Sequence, residues 1–363
     1  MEPICDAHLD LAMNAISFDR DLTTALGDIN ALETNMTDHA GRGQSVVSFP
    51  AMREGGVGLG LGTVLARANY RARPAGGFRR VDYDHPTRDA ASSTASGQIA
   101  YYRMLDARNE IRVIETSSNL AEHWKSWGEV ASWPTLSVGI VLAMEGADPI
   151  LSPTDAERWW DAGLRVASLV HFGRNEYADG TGTEGPITEL GRELLLEFSR
   201  LGMILDVTHL SDNGFFDALE RYPGAIFASH NNCRELVPGQ RQLSDAQIRL
   251  VAERGGVVCV ALDASMLHPQ WVRGRGDPRL VSFRDVANQI EHIVSVTGSY
   301  ESVAIGSDLD GGFGSEQTPG DCKTISDLQK LPSHLRDRGL GDVEIRNIMS
   351  DNLIGFLRRN LPS

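Results

Sequence analysis

Cysteine is scarce in this chain. Cys5, Cys233, Cys259 and Cys322 are too few and too irregularly spaced for a small-domain disulfide framework or a Cys-x-x-Cys zinc site. They read as reduced thiols of a cytoplasmic protein, and Cys5 and Cys259 sit in apolar runs that suit core packing. Long apolar runs are also missing: the stretch 136–144 falls far short of the ~20 residues that a bilayer crossing needs. The first ten residues already contain Asp6, His8 and Asp10, with neither a basic leader nor an apolar run of signal-peptide length. A soluble protein without a secretion signal is expected. Positive charge is in deficit, and a net charge of −15 opposes binding to nucleic acid or to an anionic membrane. The one dense basic stretch, 67–80, carries Arg67, Arg71, Arg73, Arg79 and Arg80 among Gly, Pro and Ala, and reads as a solvated loop.

What is present is a composition of 41% hydrophobic and 23% charged residues, which suits a compact folded chain rather than a disordered one. Short apolar, β-branched runs recur at 4–9, 57–65, 136–144, 166–170, 203–207, 225–229, 256–261 and 302–306. Each reads as a strand buried on both faces. Between them, segments such as 155–162 and 188–201 place apolar residues at three- and four-residue intervals, the helical pattern. Strand–helix alternation implies a parallel sheet with right-handed crossovers, and eight repeats imply closure into a (β/α)8 barrel, the TIM barrel, in preference to an open doubly wound sheet. The expected organisation is one domain over residues 1–363. It carries a long insertion between strands two and three, 66–133, and a C-terminal helical extension over about 343–359. Within the insertion, 69–86 resembles a loop over the barrel mouth and 95–112 is helix-compatible.

The ionisable residues fall at the C-terminal ends of these strands. His8 and Asp10 close the first, Glu145 follows the third, and His171, His209, His230 and Asp308 follow the fourth, fifth, sixth and eighth. A lone histidine at a strand end is more often structural than a ligand. A barrel, however, gathers all these ends around one mouth, where such folds build their sites. Converging imidazoles and carboxylates form a nitrogen-and-oxygen ligand set that suits zinc, with cobalt or manganese as substitutes.

These residues resemble those of the membrane or renal dipeptidases, peptidase family M19 of the amidohydrolase superfamily. The resemblance is carried by Asp6-Ala7-His8-Leu9-Asp10, Met144-Glu145-Gly146-Ala147, Leu169-Val170-His171, Asp206-Val207-Thr208-His209-Leu210-Ser211, Ser229-His230-Asn231 and Gly306-Ser307-Asp308-Leu309-Asp310-Gly311, in the family's order over nearly the whole chain. It implies two zinc ions per chain, one held by His8 and Asp10 and the other by His209 and His230, with Glu145 bridging. It also implies that His171 polarises a peptide carbonyl, that Asp308 is the general acid/base, and that Arg241 binds the terminal carboxylate of a small dipeptide, L-Xaa-D-Xaa dipeptides included. Asp310 ranks below Asp308, and Arg234 is the alternative to Arg241. A mononuclear deaminase or lactonase-like hydrolase on the same scaffold is the rival reading. Deaminases of this superfamily, however, present His-x-His after strand one, where this chain has His8-x-Asp10. A homodimer is the default expectation for assembly.

Overall fold

The computed structural model describes residues 1–69 and 83–363, and its centre is a ring of eight parallel strands. They are β1 (Ile4–Leu9), β2 (Val57–Val64), β3 (Val138–Met144), β4 (Leu164–Ser168), β5 (Ile204–Asp206), β6 (Ile226–Phe227), β7 (Val258–Val260) and β8 (Val303–Ile305). Neighbours pair in chain order from β1 to β6, and β8 pairs with both β7 and β1. The remaining seam, β6 to β7, is closed by a bridge between Ala228 and Val258. There the Ala228 N–H donates to Val257 O at 3.0 Å, and the Cys259 N–H donates to Ala228 O at 2.9 Å. The fold is thus a closed, TIM-like α/β barrel.

Every residue of these strands is buried, which explains why they read as unbroken apolar runs. One apolar cluster lies between strands and helices. A second, including Leu59, Leu61, Val141, Ala143, Val166, Ile204, Phe227 and Ala304, fills the ring. The closing helix Asn352–Asn360 adds Leu353, Phe356 and Leu357 to the inner cluster. Asn352 ties it to the start of β8 by donating to Val303 O at 2.8 Å. It therefore plugs the end of the ring opposite the strand C-termini. The interior is tight higher up as well: a Cβ on Gly306 would stand 1.7 Å from the Ser229 carbonyl oxygen. Among the described residues, no helix is long and apolar enough to cross a membrane.

Two sequence expectations need correction. The fourth strand is displaced two residues toward the N-terminus from 166–170, because Arg165 is a buried strand residue. Its guanidinium is satisfied by Glu115 Oε2 at 3.0 Å and by the carbonyls of Glu115, Trp160 and Leu164. The segment 95–112 is not one helix. The helix runs Arg88–Ala107, capped by the Thr87 hydroxyl on the Ala90 N–H, and Ile111–Val113 is a short strand paired with β3. The C-terminal extension holds as helical, interrupted by a π turn at Asn347–Asp351. Most of 69–86, including Arg71, Arg73, Arg79 and Arg80, lies outside the described residues.

Candidate metal centre

Seven residues read from the sequence, Asp10, Glu145, His171, His209, His230, Arg241 and Asp308, line one cavity of about 370 Å³ at the C-terminal ends of the strands. His8 stands just behind its wall, 1% exposed. Glu145 follows β3 directly, while His171, His209, His230 and Asp308 each lie three residues past the last residue of their strand. Short loops therefore aim them inward. Two do so at a cost: His209 has φ +69° and Asp308 φ +59°. That left-handed backbone costs a residue other than glycine about 1–3 kcal/mol, and it persists where the surroundings fix it.

Glu145 occupies the middle of the cluster. Its Oε1 lies 3.1 Å from His209 Nε2 and 3.2 Å from His230 Nε2, and its Oε2 lies 3.6 Å from His8 Nε2. The same His8 Nε2 lies 3.9 Å from Asp10 Oδ1 and 3.9 Å from Asp308 Oδ1. His171 Nε2 is 3.6 Å from Glu145 Oε1. Three ligand-type groupings result, each with atoms within 4.8 Å of one another: His8, Glu145 and His230; Glu145, His171 and His209; and His8, Asp10 and Asp308.

Burial and like charge dominate the electrostatics of the site. Burial pushes the Glu145 carboxyl well above the ordinary range, and Asp10 and Asp308 push it further. Asp308 is raised by burial and then by Asp10 and Asp263, and Asp10 is raised by burial to about 6. Burial depresses His8 to about 3, with Arg241 adding to the effect, and lowers His171, His209 and His230 in the same way. Neutral imidazoles beside crowded carboxylates suit divalent cations. The His8 Nε2 atom is buried without a hydrogen-bond partner among the described residues, so the donor set fits metal ions.

Second partners orient the imidazoles. The Ser229 hydroxyl lies 2.5 Å from Asp206 Oδ2 and 2.8 Å from His230 Nδ1, and Thr181 Oγ1 lies 2.9 Å from His209 Nδ1. Thr63 Oγ1 bonds Asp10 Oδ1, and Asp6 receives the Ser307 N–H at 2.8 Å and the His8 N–H at 3.2 Å. Sequence reading missed Thr63 and Thr181 and quoted Ser229 only as a neighbour of His230, because the bonds of these hydroxyls are legible only once the strands stand side by side.

The members of the two alternative pairs occupy different surroundings. Arg234 is spent on Asp212, with Nη1 and Nη2 at 2.8 and 2.7 Å from its carboxylate, whereas Arg241 lines the cavity. Arg241 Nη1 is buried with no hydrogen-bond partner among the described residues. Asp310 faces away from the cavity. Its carboxylate takes the backbone N–H groups of Val46 and Val47 and the Ser45 hydroxyl, so it fastens a loop. The solvated-loop reading fails for Arg67, which lines the cavity and places Nη1 3.0 Å from His171 Nδ1. Asp263 and Arg273, paired at 2.8 Å, also line the cavity and were not singled out from the sequence.

Residues 1–360 match the family model described as membrane dipeptidase (peptidase family M19). The chain belongs to that family. Similar proteins include an uncharacterized dipeptidase of Schizosaccharomyces pombe, 29% identical over 60% of this chain; that alignment spans 52% of the yeast protein, about half its length. Dipeptidase aclJ of Aspergillus oryzae is 26% identical over 98% of this chain and 77% of its own length. Two solved structures share the fold at TM-score 0.78 and 23% identity. One is dipeptidase AC, a metallopeptidase of family M19, which covers 100% of this chain and 99% of its own. The other is a metallopeptidase from Rhodobacter sphaeroides bound to a phosphinate mimic of the dipeptide L-Ala-D-Ala, with 99% of both chains covered.

Proposed function

We propose that this M19 chain is a binuclear zinc dipeptidase that hydrolyses the peptide bond of short dipeptides, L-Xaa-D-Xaa dipeptides among them. The observation that carries the reading is the division of Glu145, whose Oε1 faces His209 and His230 while its Oε2 faces His8. A carboxylate divided in this way can serve two cations at once. His8 and Asp10 would hold one zinc, and His209 and His230 the other. Ions bound there supply a polarised carbonyl and a water acidic enough to attack near neutral pH.

The remaining roles belong to the chain. His171 Nε2 donates to the peptide carbonyl oxygen as negative charge develops on it. Asp308 takes the proton of the attacking water and returns it to the departing amine, and a carboxyl raised by burial suits that exchange near neutral pH. Arg241 offers Nη1, which has no hydrogen-bond partner among the described residues, to the substrate's terminal carboxylate. A cavity of about 370 Å³ is at the small end of the ligand-pocket range, which fits a dipeptide better than a longer chain. The L-Ala-D-Ala mimic bound by the Rhodobacter sphaeroides relative supports the stereochemical part of the reading. The four thiols, all buried and unpaired, support a cytoplasmic setting.

The test is hydrolysis of a panel of L,L and L,D dipeptides by the zinc-loaded protein, with bound metal counted on the same sample. Release of free amino acids with about two zinc per chain, both lost in Glu145→Ala, is the expected result. One metal per chain with deaminase or lactonase activity, and no dipeptide cleavage, would overturn it.

A further inference from the structure

Proximity alone leaves the role of His171 open, because its Nε2 groups with Glu145 and His209 as well as any ligand atom does. The other side of the ring decides it. A guanidinium has N–H donors and no acceptor, so the 3.0 Å contact from Arg67 Nη1 requires a bare lone pair on His171 Nδ1. A neutral imidazole whose Nδ1 accepts must carry its proton on Nε2, the atom that faces the cavity. His209 and His230 have the opposite arrangement. The Ser229 hydroxyl proton goes to Asp206, so Ser229 accepts from His230 Nδ1–H. The Thr181 hydroxyl reaches the His209 carbonyl at 3.4 Å and can accept from His209 Nδ1–H in the same way. With Nδ1 protonated, each of those rings turns a lone pair on Nε2 toward the other, 3.2 Å away, and toward Glu145 Oε1, a convergence that a shared cation would satisfy.

We propose that Arg67 is a positioning residue that fixes His171 in the Nε2–H tautomer, making it a hydrogen-bond donor to the substrate carbonyl and barring it from metal ligation. The arginine is itself held. Its Nε donates to Asp84 Oδ1 at 2.7 Å, its guanidinium lies 4.8 Å from the Tyr83 ring centre, and Arg67 and Asp84 are register partners in a two-stranded ladder. The next residue anchors this ladder to the metal-site loop through its Ala68 N–H, which donates to Asp148 Oδ1 at 3.0 Å, three residues past Glu145. A rigid donor at fixed distance favours one tautomer continuously and needs no rearrangement during turnover. The carbonyl role rests on the dipeptidase reading, whereas the tautomer does not.

The test combines nitrogen NMR with kinetics on the zinc-loaded, full-length protein. In ¹⁵N-histidine-labelled enzyme, the ring assigned to His171 by its absence from His171→Asn should show a protonated Nε2 and a bare Nδ1. The assigned His209 and His230 rings should show the reverse. Arg67→Met should move His171 toward Nδ1–H, and Arg67→Lys, which still donates, should retain Nε2–H. With dipeptide substrates, Arg67→Met should lower kcat about tenfold or more with KM little changed, since one oxyanion donor is worth about 10²–10³ in kcat. In a His171→Asn background, where an amide donates without a tautomer, the same substitution should have little effect. A protonated Nδ1 on His171 in the parent protein, an unchanged tautomer in Arg67→Met, or an undiminished kcat loss in the His171→Asn background would each overturn the proposal. If the parent protein cleaves no dipeptide, the substrate reading fails by itself and the NMR result still decides the tautomer.

Discussion

Arg241 donates from Nη2 to the carbonyl oxygen of His230 at 3.0 Å, so this cavity-lining cation is braced by the backbone of a candidate ligand. One nitrogen braces, and the other, Nη1, has no hydrogen-bond partner among the described residues. Arg241→Met should therefore raise KM for dipeptides by about 10- to 100-fold, the cost of about 1.4–2.7 kcal/mol for a lost charge-assisted contact. Arg234→Met should leave KM unchanged, because that guanidinium is committed to Asp212. Steady-state kinetics on both variants, with amidated dipeptides as controls, check the pair. Equal KM effects would remove Arg241 from the substrate site.

Ser229 is the hinge of a second relationship, from Asp206 to His230. Ser229→Ala removes the acceptor that holds His230 with its proton on Nδ1. Zinc affinity should fall about 10- to 100-fold, the usual loss for an outer partner of a metal ligand. Competition with a chromophoric chelator measures it, and an unchanged affinity would make the hydroxyl a packing detail.

Metal removal should loosen the protein without unfolding it. The inner and outer apolar clusters are formed by side chains of the strands and of the helices packed on them, and none of their members is a candidate ligand. Chelation should preserve far-ultraviolet circular dichroism and lower the unfolding temperature. Zinc at about 1,000 times its Kd should restore about 4 kcal/mol. Loss of the barrel's dichroic signal on chelation would contradict this.

A buried ionic cluster predicts an acid limb. Burial alone would raise the Glu33 carboxyl, but Arg20, the Gly43 N–H and Arg42 outweigh it and hold the group below its ordinary value. A depressed carboxylate contributes stability that is fully present above its unfolded pKa of ~4.3 and is lost as pH falls through the folded value. Glu33→Gln should cost about 1–3 kcal/mol at pH 7, because Arg20 and Arg42 lose their shortest carboxylate contacts while Asp310 stays 3.7 Å from Arg20 and Asp38 stays 3.0 Å from Arg42. The difference from the parent should shrink below about pH 4. Urea unfolding of both proteins across that range tests the sign.

Much of this architecture was legible from the chain alone, for physical reasons. Strands buried on both faces leave unbroken apolar runs, and a closed parallel ring sends every strand's C-terminus to one mouth, so His8, Glu145, His209 and His230 identified themselves by position. What stayed hidden depends on partners distant in sequence. Arg165 breaks its strand's apolar run because Glu115, fifty residues earlier, neutralises it. The Ala- and Ser-rich start of the Arg88–Ala107 helix lacks the apolar periodicity that would have revealed it. Arg67 looked like one cation among several, because its meaning lies in a register with Asp84 and a ring nitrogen at His171.

Gly306 has a consequence for how the gene can change. Its Cα passes so near the Ser229 carbonyl that a Cβ would stand 1.7 Å from it, well inside any real contact. Every single-base missense change in a glycine codon adds that atom, and here it would push on the residue that orients His230. Among point mutations, only synonymous ones leave the position intact, so the codon is locked while the loops around the mouth can drift.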